Sequence, residues 1–285
     1  MAEAAEAHFC HPKKDKNLNI SGLERLDDVI IINQQSIGRS SRSNAATYTD
    51  LFTDIRDLYA SLPETKAAGL AAKHFSYNVA GGRCEKCQGT GKLSVSMHFL
   101  PDVEVVCPVC HGKRYQKPVL NIKFKGQSIS DVLELSIDEA LVLFANEESI
   151  RLKLKVLQDV GLGYLSLGQS AATLSGGEAQ RLKLAKELSR NSAGKSLYLF
   201  DEPTTGLHPH DAARLINVFD RLVRLGNSVI VIEHNVDVIL ASDWVIDLGP
   251  EGGNQGGEIV AQGTPEEIMR NTRSVTGKVL SGLLS

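Results

Sequence analysis

The chain has 285 residues, 42% hydrophobic and 23% charged, enough apolar material for one large domain or two ordinary ones. With 31 basic against 34 acidic side chains the net charge is -3, which excludes a global pull toward nucleic acid or membrane, so any polyanion contact has to come from a local patch. No stretch reaches the roughly eighteen apolar residues of a membrane span, and the opening "MAEAAEAHFC" has neither a basic leader nor an apolar h-region; the expectation is a cytoplasmic protein without a membrane partner.

Residues 1–20 are polar, with Lys13, Lys14 and Lys16 close together, and no fold is assigned to them. Residues 21–80 begin with a β-branched strand over Val29–Ile32, followed by a Ser- and Asn-rich loop; Leu51, Phe52, Ile55, Leu58 and Tyr59 then recur at helical spacing. A cysteine-rich insert occupies 81–118. In 119–165, "LNIKFKGQSI" alternates like a strand and "SIDEALVLFANE" opens a helix with a Ser136/Glu139 capping box. Over 166–285 helices alternate with apolar runs: "LSGGEAQRLKLAKEL" is helical, "SLYLFD" a strand, "HDAARLINVFDRLVRLG" a helix ended by Gly226, and "SVIVIEH" and "DWVIDLG" further strands. Strands without polar alternation, separated by helices, predict an α/β architecture with a parallel sheet covered on both faces.

The cysteines fall as Cys84-x-x-Cys87 and Cys107-x-x-Cys110, each pair followed by Gly in "CEKCQGTG" and "CPVCHGKR". Two thiolates three positions apart can grip a tetrahedral Zn2+ from a tight turn, and the spacing of the two pairs suits a zinc ribbon in a reducing compartment. Four thiolates leave no open position, so such a zinc holds a fold. His98 and His111 are read as surface imidazoles. "KLSVSMHFLPDVEVV" between the pairs alternates about Leu100-Pro101-Asp102, like a hairpin with its tip there. Downstream, Lys113, Arg114, Lys117, Lys123 and Lys125 are interleaved with Tyr115 and Phe124, a composition that suits phosphate contact and base stacking as well as a solvated basic face; Lys113, Arg114, Tyr115 and Lys117 are the DNA-binding candidates.

"SRNSAGKS" ends like a phosphate-binding loop, but Ser189 stands where its first glycine belongs, and the segment follows a helix and enters a strand. That order is inverted, so Lys195 is read as a linker residue. No other Gly-x-x-x-x-Gly-Lys-Ser/Thr occurs. A second set of nucleotide-site residues is present. Asp201 closes an apolar strand, where it can hold Mg2+ through water, and Glu202 beside it can act as a general base. Ser175 precedes a helix with Glu178 three residues on, an arrangement that exposes a hydroxyl, backbone amides and the positive helix end to a phosphate. His234 ends the next apolar strand, within imidazole reach of a γ-phosphate.

In this order, "LSGGEAQRLKLAKEL", "LYLFDEPTTGLHP" and "VIVIEH" resemble the ABC-type ATPases, and "GGRCEKCQGTG", "MHFLPDVEVVCPVCHGKRY", "DVGLGYLSLGQSAATLSGGEAQR" and "IDLGPEGGNQGGEIVAQGTPEE" narrow the resemblance to the UvrA family over roughly residues 21–270. The resemblance implies a C-terminal ABC-type nucleotide-binding domain interrupted by a zinc-bearing insert. It makes Asp201 the Walker B aspartate, Glu202 the catalytic glutamate, His234 the switch histidine and Gln34 the Q-loop glutamine. Ser175, Gly176 and Gly177 would face ATP held by the opposite domain, Cys84, Cys87, Cys107 and Cys110 would bind zinc, and the "HFLPDV" hairpin would help tell damaged DNA from intact. Its implied ligands are Zn2+, ATP and Mg2+. Its implied partners are damaged double-stranded DNA, a UvrB-like helicase subunit and a UvrA-type N-terminal half, with a homodimer in the full-length form.

The family carries two phosphate loops, whereas this chain begins after the second, so the chain alone is not expected to hydrolyse ATP. Ser36, Ser41 and Ala45 also stand where the family favours proline. The leading expectation is therefore half of a DNA-damage-recognition ATPase of nucleotide excision repair. The alternatives are a UvrA paralogue serving drug resistance or another DNA transaction, an inactive fragment, and a DnaJ-like zinc chaperone module, of whose four repeats only two half-matches occur.

Overall fold

The computed structural model describes residues 22–35, 37, 42–97, 100–189, 194–249 and 257–284. The chain divides into two compact units. One is Ile32–Ala193; the other joins the chain through Ile31 to Gly194–Ser285.

The 32–193 unit is mainly helical. Asn44 caps α1 (Ala45–Tyr48) through a reciprocal box with Thr47. The predicted amphipathic helix is α2 (Leu51–Ser61), which buries Leu51, Phe52, Ile55 and Tyr59; α3 (Pro63–Ala67) follows with its proline in the first turn, where no intrahelical donor is lost. The cysteine knuckles flank an antiparallel hairpin of β2 (Lys92–Met97) and β3 (Leu100–Val106). Met97 pairs with Leu100, so Leu100, Pro101 and Asp102 lie in β3 rather than at a tip; His98 and Phe99 lie outside the described residues. A two-stranded ribbon has only edges, so a proline without an N–H fits there.

After α4 (Lys117–Leu120), the expected continuous strand is instead two pieces, β4 (Lys123–Phe124) and β5 (Gln127–Ser128), folded on each other about Lys125 and Gly126. Lys125 and Gly126 have φ of 46° and 84°, and the glycine makes a left-handed turn cheap enough to break the alternation. Then come α5 (Ile129–Glu134), α6 (Ile137–Leu143) with the predicted Ser136/Glu139 box, α7 (Glu148–Asp159) and α8 (Gly176–Ser189). These helices bury mainly Leu, Ile and Val, and the unit also holds aromatic pairs: Tyr59 lies 5.6 Å from Phe75 and Phe124 stacks on Phe144 at 5.7 Å.

The second unit holds a three-stranded sheet in the order β1 (Asp28–Ile32), β6 (Ser196–Asp201), β7 (Ser228–Ile232), with β6 and β7 parallel and joined through α9 (Pro209–Arg224). The apolar stripe of α9, including Leu215, Phe219 and Leu222, covers one face, where Phe219 meets Phe200 at 4.9 Å. The other face was expected to be covered too, yet Ile230 and Ile232 are 45% and 59% exposed. A fully apolar strand tells that both faces want cover, and within this unit α9 covers one of them. After α10 (Val236–Leu240), β8 (Val245–Gly249) does not extend the parallel sheet; it pairs antiparallel with β9 (Glu258–Gly263). The connection between them is shorter than the crossover of a dozen or more residues that a parallel pair needs. Helices α11 (Pro265–Arg270) and α12 (Val275–Leu284) pack there around Ala261, Ile268 and Leu280.

Candidate functional site

In the second unit, Asp201 ends β6 and Glu202 turns the chain. Its amide donates to the Ile232 carbonyl at 2.8 Å, the last bond of the ladder, and its φ of 45° puts a non-glycine residue in the left-handed region. Residues held there outside glycine are uncommon and are maintained by their surroundings. The turn "PTTG" does so: the Thr205 amide donates to the Glu202 carbonyl at 3.1 Å and the Leu207 amide to that of Thr204 at 3.0 Å. The twist aims the carboxylate along the sheet edge toward His234, whose Nε2 lies 3.4 Å from Glu202 Oε1. Sequence reasoning singled out both residues from separate strands, and the parallel register of β6 and β7 brings them together. Lys195 sits ahead of β6 with its amide on the Asp27 carboxylate at 2.8 Å, a strand-entry position.

In the 32–193 unit, Ser175 caps α8. Its amide donates to Glu178 Oε2 at 2.7 Å and its hydroxyl accepts from the Glu178 amide at 3.3 Å. Burial raises the Glu178 carboxyl, but the Tyr164 hydroxyl, donating at 2.6 Å, and the Ser175 amide and hydroxyl outweigh it and hold the group below the usual carboxylate range. By helix geometry Gly176 and Gly177, in the first turn of α8, have amides without an intrahelical acceptor. Gln34 lies against this end: a Cβ on Gly176 would sit 3.1 Å from Gln34 Oε1. The approach is fixed from behind, since Gln180 Nε2 donates to the Ile32 carbonyl at 2.9 Å and Lys183 Nζ to the Asn33 carbonyl and side chain at 3.1 and 2.8 Å. Gln180, Lys183 and Tyr164 escaped the sequence reading. The helical spacing of Gln180 and Lys183 was visible, but what they face was not.

The four cysteines converge, all four Sγ atoms lying within 4.8 Å of one another and all buried. Cys87 Sγ is 3.6 Å from Cys110 Sγ and accepts from the Gly91 amide at 3.3 Å. Burial pushes the Cys84 and Cys110 thiols up, Cys110 to about 12. For Cys107 the same burial is outweighed by the Cys110 and Val109 amides and the neighbouring thiols, which bring it down to about 7. A soft, closed four-sulfur set of this kind suits a structural metal ion.

The basic segment does not form one surface. Tyr115 is buried and its hydroxyl donates to the Phe75 carbonyl at 2.9 Å, so it has no face to offer a base; burial raises its phenol far above the ordinary value. This corrects its place among the DNA-binding candidates. Strict spacing cannot tell a stacking aromatic from a core one. Arg114 turns inward over the Tyr77 ring and donates to the Gly168 carbonyl at 3.4 Å, whereas Lys113 and Lys117 are exposed, Lys113 lying 3.8 Å from Asp131. His111 is exposed, as expected, and His98 lies outside the described residues. No described helix is long and apolar enough to cross a membrane.

No family model matches the chain. It is 60% identical over 265 residues to UvrABC system protein A of Mesorhizobium japonicum, covering 93% of the chain and 27% of that relative, and 60% identical over 261 residues to UvrABC system protein A of Aquifex aeolicus, covering 92% and 28%. The crystal structure of UvrA2 from Deinococcus radiodurans matches with a TM-score of 0.87 and 48% identity, over 99% of this chain and 34% of that one. The chain thus spans little more than a quarter of the length of the curated relatives it matches. In sequence and fold the chain is similar to one part of UvrABC system protein A and UvrA2, and it has an α/β fold with a cysteine-bearing insert.

Proposed function

We propose that this segment supplies half of a composite ATP site in the damage-recognition ATPase of bacterial nucleotide excision repair, with a phosphate loop coming from elsewhere. The observation that carries the reading is the Glu202–His234 pair, 3.4 Å apart at the end of two parallel strands. Glu202 takes the proton of the water that attacks the γ-phosphate, and His234 holds the transferred group in line. Bound Mg2+ supplies charge neutralisation at the phosphates, with Asp201 as its anchor in this chain. Ser175, Gly176 and Gly177 present a hydroxyl and two amides to ATP held by an opposing domain, and Gln34 reports that contact to the rest of its unit.

The cysteine set is read as a Zn2+ site formed by Cys84, Cys87, Cys107 and Cys110, which fixes the base of the β2–β3 hairpin. Damaged duplex DNA is the proposed ligand of that hairpin, with Lys113 and Lys117 on phosphates. A UvrB-like helicase subunit and a second UvrA-type copy are the proposed protein partners, and the cytoplasm the proposed compartment.

The test is phosphate release from ATP by the purified chain alone and mixed with the phosphate-loop-bearing segment of a UvrA relative. The reading expects turnover only in the mixture. Silence in both would contradict it.

A further inference from the structure

Glu233 plays no part in the assignments above, yet its carboxylate accepts four hydrogen bonds. Oε1 takes the Thr204 amide at 2.7 Å and the Thr204 hydroxyl at 2.6 Å; Oε2 takes the amides of His234 at 2.9 Å and Asn235 at 3.1 Å. Thr204 belongs to the turn that follows Glu202, and His234 and Asn235 open the segment after β7. Every partner is a donor, and a carboxylate with its two oxygens and four lone-pair sites is the side chain that satisfies such a set.

The position matters because the sheet stops just before it. Asp201 pairs with Ile232, and the Glu202 amide on the Ile232 carbonyl is the last ladder bond. The strand ladder ends there, while the His234 and Glu202 side chains are 83% and 44% exposed and cannot by themselves hold a fixed distance. Glu233 bridges the gap and also sets the exit of Asn235, whose side chain caps α10 through the amides of Asp237 and Val238.

We infer that Glu233 is a positioning residue: its carboxylate clamps the Thr204 turn to the His234 segment and thereby sets the Glu202–His234 geometry used in ATP hydrolysis. This rests on the ATPase reading given above. Glu233 meets His234 only at its backbone amide and touches no side chain assigned to the nucleotide, so its loss should lower kcat more than it changes KM. Displacing a reacting group by an ångström costs up to about a hundredfold in rate.

The experiment measures steady-state ATP hydrolysis by the chain mixed with the phosphate-loop-bearing UvrA segment, for wild type, Glu233→Gln, Thr204→Val and Thr204→Ser. Gln would set an NH2 against two donors. The expected result is a fall in kcat of about tenfold or more for Glu233→Gln, with KM for ATP within about twofold, a similar fall for Thr204→Val, and near wild-type rates for Thr204→Ser, which keeps the hydroxyl. Hydrogen exchange on the chain alone should show the Thr204, His234 and Asn235 amides faster in Glu233→Gln and the Glu202 amide unchanged. If Glu233→Gln does not fold, the Thr204 pair carries the comparison. An active wild-type mixture in which Glu233→Gln or Thr204→Val keeps its kcat, or loses only KM, overturns the inference and leaves the ATPase reading standing. A silent wild-type mixture overturns that reading and the inference with it.

Discussion

Gln34 and Gly176 approach so closely that a β-carbon on Gly176 would lie 3.1 Å from Gln34 Oε1 and 3.2 Å from Gln34 Cβ. Gly176→Ala therefore sets two effects against each other. Alanine in the first turn of α8 gains up to about 1 kcal/mol in helix propensity, while the exposed Gln34 side chain must move aside. The side chain is the softer of the two. The variant should melt at or slightly above the wild-type temperature and yet lose most ATP turnover in the complemented mixture; a drop in melting temperature of several degrees would show that the backbone had yielded instead.

The Ser175/Glu178 box gives a pH dependence with a definite sign. The folded Glu178 carboxyl is held below its ordinary value, so its stabilisation is present above the unfolded value, near 4.5, and disappears as pH falls through the folded one. Glu178→Gln keeps the Ser175 cap and removes the negative charge at the helix N-terminus, so it should cost up to about 1 kcal/mol at pH 7 and progressively less below pH 4.5. Urea unfolding of both proteins from pH 7 to pH 3.5 reads the difference, which should narrow with acid.

Tyr115→Phe separates core from ligand surface. Removing the hydroxyl orphans the buried Phe75 carbonyl and should cost about 1–3 kcal/mol by chemical denaturation. Duplex DNA affinity should not change. Lys117→Ala should do the opposite, leaving stability intact and weakening DNA binding together with its salt dependence.

For the cysteine cluster the expectation is one zinc per chain by elemental analysis. Cys84→Ser or Cys107→Ser should abolish it, and chelation should release the β2–β3 hairpin to proteolysis while the β6–β7 unit stays resistant.

Much of this was legible before any coordinates. The strand over Val29–Ile32, the α2 helix, the Ser136 and Ser175 caps and the Gly226 stop are local signals carried by neighbours in sequence, and the structure has all of them. The convergence of four cysteines followed from spacing alone. Long-range facts were not legible. That β8 turns back on β9, that Ile230 and Ile232 on one face of β7 stay half-exposed, and that Tyr115 points inward all depend on what lies across space. Glu233 escaped for the same reason: beside His234 it reads as one more surface acid, and its value lies in Thr204, 29 residues away.

The measurement that bears most directly on the central claim is single-turnover ATP hydrolysis by the complemented mixture carrying Glu202→Gln. The carboxylate-to-amide change keeps the size of the side chain and removes the base, and general-base catalysis is worth roughly 10²–10⁴-fold. Nucleotide should still bind and hydrolysis should fall by at least about a hundredfold. A mixture that turns over ATP at the wild-type rate with Gln at position 202 would place the chemistry elsewhere and contradict the account.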